Sequence, residues 1–280
     1  MLARAKINLW LNVVGRRADG YHLLDSLVAF TDLADEIEAS PSDRLSLSVE
    51  GPFAAMLAGE ADNLVLAAAR LLADRAGVAP RVALRLHKHI PVAAGLGGGS
   101  ADAAAVLRLL IDLWRVALPV EELFDLAARL GADVPMCLAG RAAVVSGIGE
   151  QLAPAPPVPP CAILLVNPGT PLPTPEVFAK RRGAFSPARG LQAWTDAASF
   201  AATLAGRGND LTDGAVALRP EIAQVLAFLQ ASEGVMHAAM SGSGATCFAL
   251  YESSSLAERA AASVPARWWR HAGRLVVSGQ

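Results

Sequence analysis

Gly95, Gly97, Gly98 and Gly99 fall within five positions, precede Ser100, and lead directly into an alanine-rich run. Glycines so dense free the backbone to bring bare N–H groups against a ligand. A helix starting there adds its own unpaired N–H groups and roughly half a positive charge. Together they make an anion site, best suited to phosphates. Asp133, in Gly131-Ala132-Asp133-Val134-Pro135, is a carboxylate on a short constrained turn. It is a candidate general base, or simply a turn or capping aspartate.

The surroundings of the glycines narrow the type of phosphate loop. A Walker loop needs Lys after the last glycine, and none is present. A Rossmann fingerprint counted from Gly95 meets Ser100 at its sixth position instead of glycine. Protein-kinase markers of the H-R-D and D-F-G types are absent. A purely structural glycine turn is the bland alternative. Ser100 reads either as an N-cap for the following helix or as a hydroxyl facing a phosphate or its magnesium ion. Asp102 suits the start of that helix and reads as structural, with a water-mediated role at magnesium as the other option.

Alternating strands and periodic helices must position these residues. Ile7, Leu9 and Leu11 alternate with Asn8, Trp10 and Asn12, predicting an early strand. Residues 15–20 are a turn, and 22–30 a second extended segment. Residues 45–49 and 82–86 alternate as the third and fourth strands. Asp62 or Asn63 caps a helix carrying Leu64, Leu66, Leu71 and Leu72, which Gly77 stops. Val106, Leu109, Leu110, Leu113 and Trp114 form one apolar helix face behind the glycines. Pro119 opens a further helix with Glu121 and Glu122 at its positive end and Gly131 as its stop. Residues 140–149 read as a hairpin. The proline-rich run 153–160 is a stiff connector and predicts the boundary between domains 1–152 and 153–280. Beyond it come a buried strand at 161–166, a loop at 167–175, a helix at 221–230 and a strand entering Met240. The loop Ser241-Gly242-Ser243-Gly244, a strand at 246–251, a helix at 255–262 and a last strand at 275–277 complete the alternation.

The chain has 280 residues, enough for two modest domains, and at that length roughly 75% of the unfolded surface is buried on folding. A net charge of −2 gives no basic footprint for nucleic acid. No apolar run reaches the ~18 residues of a membrane span, and the opening residues do not form a secretory signal. Cys137, Cys161 and Cys247 are widely spaced in apolar settings, as expected of buried free thiols in a cytoplasmic protein.

The pattern P-x-x-x-G-L-G-x-x-S at residues 91–100 resembles the superfamily of galactose, homoserine, mevalonate and phosphomevalonate kinases, the GHMP kinases. Lys6-Ile7-Asn8-Leu9 near the start and Met240-Ser241-Gly242-Ser243-Gly244-Ala245-Thr246 near the end occur in the family's order. Arg17-Ala18-Asp19-Gly20-Tyr21-His22 and the 131–135 block narrow the resemblance to the branch acting on 4-diphosphocytidyl-2-C-methyl-D-erythritol. It spans nearly the whole chain and is weakest over 181–206.

The resemblance implies an α+β, two-domain architecture, with a ribosomal-S5-domain-2-like N-terminal domain, a ferredoxin-like C-terminal domain and the active site in the cleft between them. It implies an ATP-dependent alcohol kinase using Mg²⁺, with no direct protein ligand assigned to the metal. Pro91, Gly95, Leu96, Gly97, Gly98, Gly99 and Ser100 would wrap the triphosphate, while Asn63 and Lys88 border the nucleotide. Lys6 would pair with Asp133, the proton acceptor. Asn8, Tyr21, His22, Thr174 and Phe178 would hold the substrate, with Tyr21 and His22 at the cytosine, and Ser241, Gly242, Ser243 and Gly244 form the second glycine loop. Taken singly, Lys6 reads as a solvated charge, Lys88 as an exposed strand lysine and Phe178 as a helix core residue. A kinase of the superfamily acting on homoserine or a mevalonate derivative, and a nucleotide sensor without turnover, are the rival functions. The expected partners are small molecules, with no nucleic acid or membrane, in a cytoplasmic monomer or homodimer.

Overall fold

The computed structural model describes residues 1–57, 63–191 and 193–277. Asp62, one of the two expected helix caps, lies outside them. The chain divides into two compact units. The first takes Met1–Lys6, Leu33–Val92 and Gly97–Gly140; the second takes Ile7–Asp32, Ala93–Leu96 and everything from Arg141 on. The two long strands β1 (Leu2–Arg16) and β2 (His22–Pro41) therefore each contribute to both. They pair with one another and are joined by a turn in which Arg17 N–H donates to the Tyr21 carbonyl at 2.8 Å.

In the first unit, β2 pairs antiparallel with β4 (Val82–His87), setting Ile37 opposite Leu86, and β3 (Ser46–Glu50) runs parallel to β4. Helices α1 (Leu64–Ala76), α2 (Gly98–Trp114), α3 (Val120–Leu130) and α4 (Val134–Ala139) pack on one another. Ala68, Ala69 and Ala73 on α1 and Ala101, Ala104 and Ala105 on α2 are buried. Small side chains at such contacts allow close interaxial approach. The Asn63 side chain caps α1 by accepting from Val65 N–H at 2.9 Å, and Gly77 closes it in the left-handed region, φ 66°.

In the second unit, β2 pairs with β5 (Ala143–Ser146), which pairs with β6 (Gln151–Pro154). A four-stranded antiparallel sheet follows the order β10-β7-β9-β8, built from β7 (Ala162–Asn167), β8 (Val235–Met240), β9 (Cys247–Tyr251) and β10 (Trp269–Arg274). Every residue of β7 and β9 is buried, as their continuous apolar runs require. The remaining helices are α5 (Thr174–Lys180), α6 (Ala197–Ala205), α7 (Thr212–Leu218), α8 (Glu221–Gln230) and α9 (Ser254–Ala262). Val177, Leu211, Val225, Leu229 and Ala257 close the core over Leu164, Val166 and Tyr251.

Several expectations need correction. The hairpin expected at 140–149 is shifted toward the C-terminus, with Gly147 (φ 68°) in its turn and Ala143 opposite Pro154. The first residues of the proline run thus belong to a strand, tolerated because Pro154 ends β6 at a sheet edge. The rest of the run lies inside the second compact unit. The last strand ends at Arg274, where 275–277 was expected; Leu275 makes only an isolated bridge to Thr31. β10 is an edge strand with a half-exposed, polar sequence, so the apolar Leu275-Val276-Val277 misplaced it. The short helices α4, α5 and α7 were missed because six or seven residues are too few for periodicity to resolve. Longer α6 fell in the region where the resemblance is weakest. Among the described residues no helix is long and apolar enough to cross a membrane, and all three cysteines are free and buried.

Candidate active site

In the first unit the glycine loop turns directly into α2. Gly97 is the N-cap, left-handed at φ 64°, and its carbonyl accepts from Ala101 N–H at 2.8 Å. Gly98, Gly99 and Ser100 form the first turn, so their N–H groups have no acceptor within the helix. Ser100 is therefore not the cap; it is the third residue of the helix. A Cβ on Gly97 would lie 2.6 Å from Cγ of Lys6, so the buried Lys6 stem runs across the loop. The Lys6 ammonium reaches Asp133 at 3.2 Å. Asp133 is the N-cap of α4, yet its carboxylate makes no capping bond and is 48% exposed. The carboxylate is thus available for chemistry instead of closing a helix end. Beneath it, burial first and then the Asp133 charge push the Cys137 thiol well above its ordinary range, which makes it an inert packing group.

Lys88 is 2% exposed, contrary to a strand lysine in solvent. Its ammonium contacts Asp102 at 2.7 Å and also bonds Asp35, and both carboxylates are buried. Asp35 additionally accepts from the backbone N–H groups of His89 and Ile90, at 2.6 and 2.8 Å. Two carboxylates share one ammonium. Burial, offset in part by Lys88 and reinforced by Asp35, pushes Asp102 up to about 8. A Cβ on Gly98 would lie 3.0 Å from the Lys88 ammonium, so the cluster sits directly under the first turn of α2. Pro91, at the head of the loop, is half-buried.

The second unit holds the remaining expected residues. Gly95 (φ 76°) packs backbone to backbone on the second glycine loop: a Cβ there would lie 2.5 Å from the Gly244 carbonyl oxygen. The contact is fastened by Thr246, whose N–H and hydroxyl donate to the Ala94 carbonyl at 3.3 and 2.6 Å. Ser241 Oγ donates to the Gly95 carbonyl at 3.4 Å and accepts from Asn8 N–H at 3.2 Å. Asn209 Nδ2 donates to the carbonyls of Met240 and Gly242, each at 2.8 Å. Leu96 is buried in this unit. The Asn8 amide is buried and donates to Ser26 at 2.8 Å. Thr174, at the start of α5, shares a 2.8 Å hydrogen bond with Ser243. His22 and Phe178 stack with ring centroids 5.0 Å apart, too close for a base between them, which needs ~7 Å. Tyr21 is 60% exposed beside them. Burial, then Arg16 and Arg181, lower the His22 pKa, so the imidazole is neutral near pH 7. Phe178 also packs against the core of the unit.

Comparison with known proteins matches residues 63–141 to the GHMP kinase N-terminal domain and 191–270 to the GHMP kinase C-terminal domain. A 4-diphosphocytidyl-2-C-methyl-D-erythritol kinase of Rhodospirillum rubrum is 51% identical over 98% of this chain and 91% of its own. One of Paramagnetospirillum magneticum is 52% identical over 95% of each. The chain belongs to the 4-diphosphocytidyl-2-C-methyl-D-erythritol kinase family. A crystal structure of a kinase of that family superposes with a TM-score of 0.82 at 38% identity, covering 98% of both chains. A homoserine kinase from Cytophaga hutchinsonii, with TM-score 0.63 at 16% identity over 98% of this chain and 95% of its own, shares the fold alone. The two-domain α+β architecture of the GHMP kinases is therefore that of this chain. In this family member, Lys6, Gly97, Gly98, Gly99, Ser100 and Asp133 come together in one unit, and Asn8, Ser241, Ser243, Thr174 and the His22–Phe178 stack in the other. Asn63 is committed to capping and Lys88 to its carboxylates. Asp35 and Asn209 were missed. The only signal for Asp35 was a carboxylate at an inward position of an otherwise apolar strand.

Proposed function

We infer that this chain transfers the γ-phosphate of ATP to the 2-hydroxyl of 4-diphosphocytidyl-2-C-methyl-D-erythritol, a step of the non-mevalonate route to isoprenoid precursors. The observation that carries the reading is the Lys6–Asp133 pair laid across the N-terminal turn of α2, in a chain half identical to enzymes of that name. Asp133 accepts the hydroxyl proton as that oxygen attacks the γ-phosphorus, and ADP departs. The Lys6 ammonium, 3.2 Å from the carboxylate, helps place the alcohol. The free amides of Gly98, Gly99 and Ser100, backed by the positive end of α2, hold the triphosphate. Among the described residues no cluster of acids, His or Cys is built to hold a metal. A Mg²⁺ arriving with the nucleotide would keep phosphate and water ligands, with the Ser100 hydroxyl as a protein donor. When bound, the ion would supply charge neutralisation to the triphosphate. Lys88 and Asn63 serve the nucleotide by holding the first turns of α2 and α1, and Pro91 and Leu96 by fixing the loop ends. Tyr21 and Phe178 offer aromatic faces to the cytosine and His22 its neutral edge, while Asn8 and Thr174 line the acceptor with the second glycine loop.

The strand order β10-β7-β9-β8, with helices between β7 and β8 and between β9 and β10, supports a ferredoxin-like reading of the C-terminal sheet. We read the N-terminal domain as ribosomal-S5-like and place the protein in the cytoplasm. A phosphorylation assay with ATP and the cytidylyl substrate, run beside homoserine and mevalonate, tests the function. Transfer to the cytidylyl alcohol alone is expected. Transfer to another alcohol, or MgATP binding with no transfer to any of them, would replace this reading with a sister kinase or a sensor.

A further inference from the structure

The proposed substrate carries two phosphates between its base and its acceptor alcohol, and the residues named so far give them no cation. Arg16, Arg17 and Arg181 are the guanidinium groups to weigh, since Arg16 and Arg181 both act on the charge of His22 and Arg17 opens the turn leading to it. Two of the three already have partners at their Nη groups, although the buried Nε of Arg181 has none. Arg17 pairs with Asp19 at 2.7 Å. Arg181 is buried, 4.0 Å from Asp210, and donates to the carbonyls of Gly183 and Ala184. Arg16 differs: no carboxylate among the described residues lies within ion-pair distance of it. Its Nε donates to the Gly20 carbonyl at 3.1 Å. The guanidinium is thereby folded along the turn that delivers Tyr21 and His22, with Nη2 3.6 Å from where a Gly20 Cβ would stand. Pinning Nε fixes the plane of the fork and leaves both Nη groups as donors. Asp19, on the same turn, is spent on Arg17 and on Tyr21 N–H at 3.2 Å.

We propose that Arg16 binds the substrate's diphosphate, its two Nη groups donating to phosphate oxygens beside the cytosine site. The proposal rests on the reading of Tyr21, His22 and Phe178 as that site. A planar, always-charged fork matches phosphate oxygens bidentately, and holding it in place beforehand lowers the cost of ordering it on binding. It also explains why an exposed arginine curls back onto its own turn.

The test uses the full-length enzyme and its variants Arg16→Ala and Arg16→Lys, with cytidine and cytidine 5′-diphosphate as competing probes. Arg16→Ala is expected to raise KM for the cytidylyl substrate about tenfold and leave KM for ATP unchanged. It should also erase the advantage of the diphosphate over cytidine as an inhibitor, and Arg16→Lys should restore part of it. If cytidine and the diphosphate keep their wild-type ratio in Arg16→Ala, or KM for ATP rises equally, Arg16 is not the ligand while the base site stands. If neither probe competes with the substrate in the wild type, the base site and this proposal fail together.

Discussion

At the scale of single residues, Asp133 and Asp102 show how the same side chain is set to opposite uses. Asp133 leads a helix without capping it, stays half in solvent and has an ammonium 3.2 Å away. Asp133→Asn should lower kcat by about 10² or more with KM for ATP nearly unchanged; wild-type turnover in that variant would remove it from the mechanism. Tyr21→Ala should raise KM for the cytidylyl substrate far more than for ATP, and equal changes would contradict the stacking role. Asp102 is sealed in with Asp35 and Lys88, and burial raises its pKa to about 8. Its unfolded value is near 3.9, so the folded state holds this proton more tightly. The stability it contributes is complete below about pH 4 and lost as pH rises through about 8. Asp102→Asn, which cannot ionise, should therefore gain in Tm relative to wild type between pH 5 and 9. A constant Tm difference across that range would show that Asp102 does not titrate there.

At the scale of elements, the two glycine loops are shaped by what lies against them. Gly97→Ala forces a left-handed alanine, worth about 1–2 kcal/mol, and drives its Cβ into the Lys6 stem. It should raise KM for ATP and lower kcat together, because the loop and Lys6 share that contact; an unchanged kcat would separate them. Thr246→Val leaves the buried Ala94 carbonyl without its 2.6 Å partner and should cost about 1–3 kcal/mol in urea unfolding. The glycine run and its helix were legible because glycine spacing is a local signal. The helix start was misjudged by three residues, the cap being Gly97 and not Ser100: Gly98 and Gly99 are poor helix formers, and here they pack over Lys88, Ile90 and Leu64.

At the scale of the whole molecule, Ile7–Asp32 belong to the same compact unit as the residues from Arg141 on. Residues 153–280 expressed alone should lack the β1 and β2 segments of that unit and show no cooperative urea transition; a sharp transition would favour a division at the proline run. The sequence by itself determined the glycine loop, the candidate base, the alternating strands and the kinase resemblance. Each of these is written in neighbouring residues whose types and spacing suffice. Only the tertiary structure decided that Lys88 belongs to Asp35 and Asp102, that Thr246 ties one glycine loop to the other, and that Arg17 and Arg181 pair with carboxylates while, among the described residues, Arg16 does not. Those outcomes depend on which buried charge or carbonyl finds a partner dozens of residues away, and a buried polar group takes whatever partner the packing leaves it.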